Sequence, residues 1–221
     1  MTERILMTEF KDLANMPWLH VSLINDNVFK WKVALIVLNK DSLYYGGYFV
    51  ANMTFPKNYP YSPPDFRFTK SLYHPNVYED GRLCISILHA PGEDEMSGES
   101  ASIRWSPVQR VESVLISVIS LLDDANIDSP ANVDASVLFR DNPAAYKEMV
   151  VKDLEASKKD IPKDFIMPTT EAYGAKKKEE VVSYVDDWAD SDGEFDFDSG
   201  SDDDESMEVN GVDSDAEDEE D

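Results

Sequence analysis

Apolar positions along this chain follow first a helical and then a strand period, and the changes fall where proline and asparagine clusters interrupt them. Ile5, Leu6, Phe10 and Leu13 recur at helical spacing over residues 3–14, and Pro17 ends that helix. Three runs follow, Trp18–Ile24, Phe29–Leu38 and Tyr45–Phe55, which alternate and are rich in Val, Ile and aromatic side chains. Asn25–Asn27 and Asn39–Ser42 supply the turns between them. The pattern predicts an antiparallel meander.

Residues 56–64 carry four prolines, so they form neither a central strand nor a helix interior. They read equally as a packed turn and as a rigid aromatic-proline segment that meets a partner. A short fourth strand is expected at Asp65–Thr69. Pro107 then opens a helix running to about Leu122, with Val108, Val111, Leu115, Val118, Ile119 and Leu122 as its buried stripe. Two more helices are expected near Pro130–Phe139 and Pro143–Lys158, the latter polar enough for a surface position. Between them and the fourth strand, residues 89–104 form a long polar loop without apolar period, and loops of this length inside a compact domain are often functional.

Charge changes the picture at the C-terminal end. The chain has 221 residues and a formal charge of −25. Residues 186–221 hold 19 Asp or Glu and no Lys or Arg, which leaves −25 + 19 = −6 for the remainder. Residues 1–170 are therefore read as one domain and 171–221 as a disordered acidic tail. Such an arm disfavours nucleic acid and suits a basic protein surface. The opening residues lack the apolar run of a signal peptide, and no stretch approaches the roughly 20 apolar residues that span a bilayer. The expectation is a soluble chain without membrane contact. A single cysteine excludes an internal disulfide and a Cys-based metal cage, which favours a reducing compartment.

That cysteine, Cys84, lies in the segment Tyr73-His74-Pro75-Asn76-Val77-Tyr78-Glu79-Asp80-Gly81-Arg82-Leu83-Cys84-Ile85. A lone thiol is commonly an inert core group, and the apolar neighbours Leu83, Ile85 and Ile87 suit that reading. A His-Pro-Asn element eight residues upstream and an acidic loop (Glu93, Asp94, Glu95, Glu99) starting five residues downstream favour a nucleophile. The Asn76 amide either stabilises an oxyanion or holds the Cys84 loop. His74 precedes proline, and of structural support and general base the former is favoured.

This constellation resembles the ubiquitin-conjugating enzymes. The residues that carry the likeness are His74-Pro75-Asn76, Gly81-Arg82-Leu83-Cys84, Trp105-Ser106-Pro107 and the proline segment Phe55–Pro64, over about residues 1–158. The acidic insertion between Cys84 and Trp105, the acidic tail, Ser86, and Ser129 within Ser129–Ala135 resemble the cell-division-cycle subgroup that serves SCF and related cullin-RING ligases.

The resemblance implies an α+β fold with an N-terminal helix, a four-stranded antiparallel meander and C-terminal helices. It implies that Cys84 accepts ubiquitin from the activating enzyme as a thioester and passes it to lysine, with Asn76, His74, Ser86 and Ser129 around the reacting atoms. Ligase contacts would fall on Arg4, Tyr61, Ser106 and Pro107. No cofactor or metal is implied, since ATP is consumed upstream by the activating enzyme. Expected partners are ubiquitin, the activating enzyme, and the RING subunit and cullin of an SCF-type ligase. The expected location is cytoplasm and nucleus. Two rivals remain open at this point, a thiol hydrolase built on Cys84, His74 and Asn76, and a binding module, either a catalytically silent domain of this kind or an acidic chaperone for basic proteins.

Overall fold

The computed structural model describes residues 1–93 and 99–169. The chain divides into two units, Met1–Lys178 and Glu179–Asp221. The second unit, the expected tail at 171–221 and the loop residues Asp94 and Glu95 lie outside the described residues.

Helix α1 (Thr2–Leu13) buries Leu6 and Leu13 at the expected spacing, together with Glu9. The sheet runs β1 (Leu19–Ile24), β2 (Asn27–Ile36), β3 (Tyr48–Thr54) and β4 (Asp65–Phe68), antiparallel and in sequence order. Asn25 and Asp26 join β1 to β2 with φ of 53° and 55°. That left-handed pair matches the twist of a two-residue hairpin, and asparagine and aspartate tolerate it best after glycine. Strand alternation sends Trp31, Val33, Leu35, Phe49, Ala51, Met53, Phe66 and Phe68 into the main core. The register Lys32↔Asn52↔Arg67 places polar side chains on the opposite face.

Several boundaries differ from the sequence expectation for local reasons. Strand β2 starts at Asn27, because two residues suffice for the turn. Strand β3 starts at Tyr48 and not at Tyr45, because residues 42–47 close two successive turns (Tyr45 N–H to Ser42 O, 3.2 Å; Gly47 N–H to Tyr44 O, 3.0 Å). Helix α2 spans Val111–Asp123, so it does not begin at Pro107. Residues 106–109 form a turn instead (Gln109 N–H to Ser106 O, 3.0 Å), and Val108 is 86% exposed rather than part of the buried stripe. The remaining stripe, Val111, Val114, Leu115, Val118 and Leu122, is buried against the sheet's inner residues.

Helix α3 (Val133–Asp141) begins after Pro130, because the N–H groups of Ala131 and Asn132 both donate to the Pro75 carbonyl (2.8 and 2.9 Å). Asn132 then caps the helix by accepting from Ala135 N–H at 3.0 Å. Helix α4 (Pro143–Lys158) keeps its expected bounds but is not only a surface element. It buries Tyr146 and Val150, and the Tyr146 hydroxyl meets that of Tyr44 at 2.9 Å. Beyond α4, Ile161, Phe165 and Met167 cover Ala34, Ile36 and Tyr48 on the outer face of the sheet, with the Phe165 ring stacked on His20 at 4.9 Å.

Candidate active site

Cys84 ends a tight hairpin built on β4. Val77 pairs with Leu83, Tyr78 N–H donates to Arg82 O, and Gly81 N–H donates to Tyr78 O, both at 2.9 Å. The turn requires glycine at position 81. Its φ is +87°, and a Cβ there would stand 2.3 Å from the Phe68 carbonyl oxygen, which a backbone carbonyl cannot yield. Asp80 fixes the outer edge, accepting from Arg82 N–H at 3.1 Å and from Arg82 Nε at 2.8 Å. These bonds to Arg82, first of all its backbone N–H, hold the Asp80 carboxyl below its ordinary range. Cys84 N–H donates to Asn76 O at 2.9 Å, and the side chain is partly exposed. Cys84 is therefore not sealed in the core, and its backbone is held to Asn76.

His74 and Asn76 support this hairpin from behind. The His74 ring is fully buried, and Nδ1 accepts from Asn76 N–H at 3.0 Å. Burial pushes the imidazole down to about 4; the carbonyls of Leu121 and Leu122 oppose this in part, although Nε2 closes no hydrogen bond of ordinary length. The Asn76 side chain clasps one residue of the segment before α3. Its Nδ2 donates to Asn126 O and its Oδ1 accepts from Asn126 N–H, both at 2.8 Å. The amide thus holds the 126 segment to the hairpin and retains one Nδ2 hydrogen for another acceptor. Ser129 is exposed on that segment.

Two features of the site were not singled out from the sequence. The Tyr78 phenol faces the Cys84 sulfur, and the sulfur's charge when ionised, followed by burial, pushes the phenol above its ordinary range. Tyr78 also lines a groove of about 450 Å3 between Glu79, Asp80 and Arg82 on one wall and Ala131–Asp134 on the other. The only sequence signal for Tyr78 was its place inside the hairpin turn. The pairing of that turn with the start of α3 spans some fifty residues and had no local signal.

On the downstream side the loop is tied back at Glu99. Ser86 Oγ donates to Glu99 Oε1 at 2.7 Å, His89 Nδ1 lies 2.7 Å from Oε2, and Arg104 Nη1 lies 3.7 Å from Oε2. Burial tends to raise the Glu99 carboxyl, but the bonds from Ser86 and His89 and the charge of Arg104 outweigh it, and the group sits below its ordinary range. Glu93 is exposed on the same loop. Ser86, Glu99 and Cys84 are thus brought to one region by a short 3-10 turn, Ser86–Leu88.

The other predicted contact residues gather at α1. Arg4 and Pro107 line one groove of about 510 Å3, together with Ile5, Thr8, Glu9 and Pro60. Tyr61, next to Pro60, is 66% exposed, and Ser106 precedes Pro107. The proline segment is both packed and presented. Tyr59 is buried, Trp105 Nε1 donates to Pro60 O at 2.7 Å, and Tyr61 faces outward.

A partly exposed thiol on a fixed hairpin, beside a carboxylate-edged groove, suits a transient acyl carrier that meets a cationic nucleophile. Known proteins agree with that chemistry. The sequence profile of the ubiquitin-conjugating enzymes matches residues 5–154. The chain is 52% identical over 211 residues to ubiquitin-conjugating enzyme E2-34 kDa of Saccharomyces cerevisiae, which covers 93% of this chain and 70% of that protein. It is 47% identical over 156 residues to ubiquitin-conjugating enzyme E2 7 of Arabidopsis thaliana, covering 69% of this chain and 93% of the relative. It is 48% identical over 156 residues to human ubiquitin-conjugating enzyme E2 G2, covering 67% and 94%. With the profile spanning most of the chain and the fold and thiol site in place, this protein belongs to the ubiquitin-conjugating enzymes, which carry ubiquitin as a thioester and work with activating enzymes and ligases.

Proposed function

We propose that Cys84 carries the ubiquitin thioester and that the enzyme transfers it to lysine, on a substrate or on another ubiquitin, together with a cullin-RING ligase of the SCF type. The observation that carries this reading is the partly exposed Cys84 on its pinned hairpin, whose turn residues Tyr78, Glu79, Asp80 and Arg82 line a groove with Ala131–Asp134. Lysine is the demanding partner, since well under 0.1% is neutral near pH 7 at a pKa of about 10.4. Desolvation in a groove lowers that pKa, whereas carboxylates attract and orient the ammonium but hold its proton. Local burial is therefore assigned to activation and the acidic loop to positioning, with Glu93, Asp94 and Glu95 orienting the ammonium and Glu99 anchoring the loop that carries them.

Asn76 braces the 126 segment and offers its remaining Nδ2 hydrogen to the oxyanion. His74, buried and neutral, supports the hairpin rather than moving protons. Ser129 accepts from the incoming amine, and Ser86 holds the loop through Glu99. The ligase docks on Arg4, Tyr61, Ser106 and Pro107. Residues 186–221 steer a basic cullin surface toward the enzyme, giving fast, salt-sensitive encounter. No cofactor is bound, and the enzyme acts in cytoplasm and nucleus.

Incubation with ubiquitin, ATP and activating enzyme tests the first step. A reductant-sensitive adduct is expected that Cys84→Ala abolishes and Cys84→Ser converts to a reductant-resistant ester. Release of free ubiquitin without transfer to lysine favours the hydrolase, and no adduct at all favours the binding module. Deleting residues 186–221 is expected to slow transfer with a cullin-RING complex mainly at low salt, and unchanged kinetics after that deletion refute the steering role.

A further inference from the structure

The groove that holds Arg4 and Pro107 has a buried carboxylate in its wall. Glu9 is 5% exposed, yet it belongs to an otherwise apolar helix face. Both of its oxygens are engaged. Oε1 accepts from the Tyr59 hydroxyl at 2.8 Å, and Oε2 accepts from Val111 N–H at 2.7 Å. Tyr59 precedes Pro60, and Val111 is the first residue of α2, directly after the turn 106–110. One side chain on α1 therefore fixes both other walls of the groove, the proline segment and the turn carrying Pro107, Gln109 and Arg110. Its negative charge also sits where the α2 dipole favours it. A buried carboxylate is costly unless fully bonded, and a leucine would fill the same helix position without that cost.

We infer that Glu9 is a positioning residue for ligase docking: it sets the spacing of α1, Pro60 and Pro107 at which a RING subunit is accepted. This rests on the reading of that groove as the ligase site. Glu9→Leu removes the tie and fills the same helix position. With no acceptor left at position 9, the Tyr59 hydroxyl and Val111 N–H both lose their partner, whereas an amide would keep both by accepting from Val111 N–H and donating to the Tyr59 hydroxyl oxygen. Tyr59→Phe releases only one arm and keeps the ring in the core. In the double variant with Glu9→Leu the Tyr59 hydroxyl is gone and only Val111 N–H is left without its partner, so the two effects are less than additive.

The test uses the full chain, pre-charged with ubiquitin, in single-turnover discharge onto lysine while a RING subunit bound to its cullin is titrated. The expected result is a rise of about tenfold in the KM for the ligase with Glu9→Leu, a smaller rise with Tyr59→Phe, and a double variant no worse than the first. The rate at saturating ligase is expected to change less than about twofold, as for lost uniform binding. An unchanged KM, with discharge lowered by the same factor with and without ligase, overturns the proposal and leaves Glu9 a fold residue. Tyr59→Phe decides the matter if Glu9→Leu does not fold, since an unchanged KM there also refutes the tie. If the unaltered enzyme is not stimulated by the ligase, the groove assignment itself falls; if it is stimulated and the variants match it, only the role of Glu9 does.

Discussion

His74 makes the stability of this domain depend on acidity in a calculable way. Its ring is fully buried, and burial pushes the imidazole from 6.5 down to about 4. The folded state therefore holds this group neutral over a range where the unfolded chain binds a proton. Stability from this residue is complete above about pH 6.5, falls as pH drops toward 4, and stays flat below that. The two values give a loss of about 2 kcal/mol at pH 5 and about 3 kcal/mol well below pH 4. The comparison variant is His74→Asn, whose side-chain oxygen can take the place of Nδ1 in accepting from Asn76 N–H. Urea unfolding of both proteins from pH 7.5 to 4 provides the assay, with each midpoint converted through its own slope. Other titrating groups contribute to both curves and cancel. The variant is expected to be less stable at neutral pH and to lose about 2 kcal/mol less than the unaltered protein on going to pH 5. Parallel curves would show that the ring is not held neutral by burial, and the reasoning fails.

Three further outcomes follow from the same contacts. Gly81→Ala forces a Cβ to 2.3 Å from the Phe68 carbonyl at φ +87° and is expected to cost at least about 2 kcal/mol in thermal unfolding; a change under about 0.5 kcal/mol would contradict the hairpin geometry. Asn76→Ala deletes both bonds to Asn126 and should raise hydrogen exchange at the Asn126 amide many-fold, while the Cys84 amide, bonded to the Asn76 backbone, stays protected; equal protection of both in the variant refutes the clasp. Phe165→Ala removes the ring stacked on His20 and should speed tryptic cleavage after Lys163 with little loss of global stability, because the covering segment packs on a small separate cluster; unchanged cleavage argues against that packing.

The ease with which each part was read from sequence tracks how local its cause is. Helices α1 and α4 carry their bounds in apolar spacing, Pro17 and Pro143, and the β1–β2 turn announces itself through asparagines able to take positive φ. The start of α2 is misplaced by local signals, because proline at 107 is a good first helical residue. The actual start depends on Glu9, a carboxylate 102 residues away that meets Val111 N–H. Val108 fits the apolar period but lies outside the core, because the helix begins only at Val111. The site divides in the same manner. Cys84, Asn76 and the acidic loop stood out as residue types at telling spacings. Tyr78 did not, because only folding turns its phenol toward the sulfur.

Residue order alone determined the alternation of helix and strand, the charge block at the C-terminal end, and the candidacy of one thiol beside His-Pro-Asn, because propensity, periodicity and charge are properties of neighbours in the chain. Only the tertiary structure decided that the Asn76 amide clasps Asn126, that His74 is sealed and neutral, that Glu99 anchors its loop on Ser86 and His89, and that Glu9 ties three elements together. Each of these joins groups distant in sequence or depends on burial, and a hydrogen bond or a desolvated ring exists only once packing has excluded water from it.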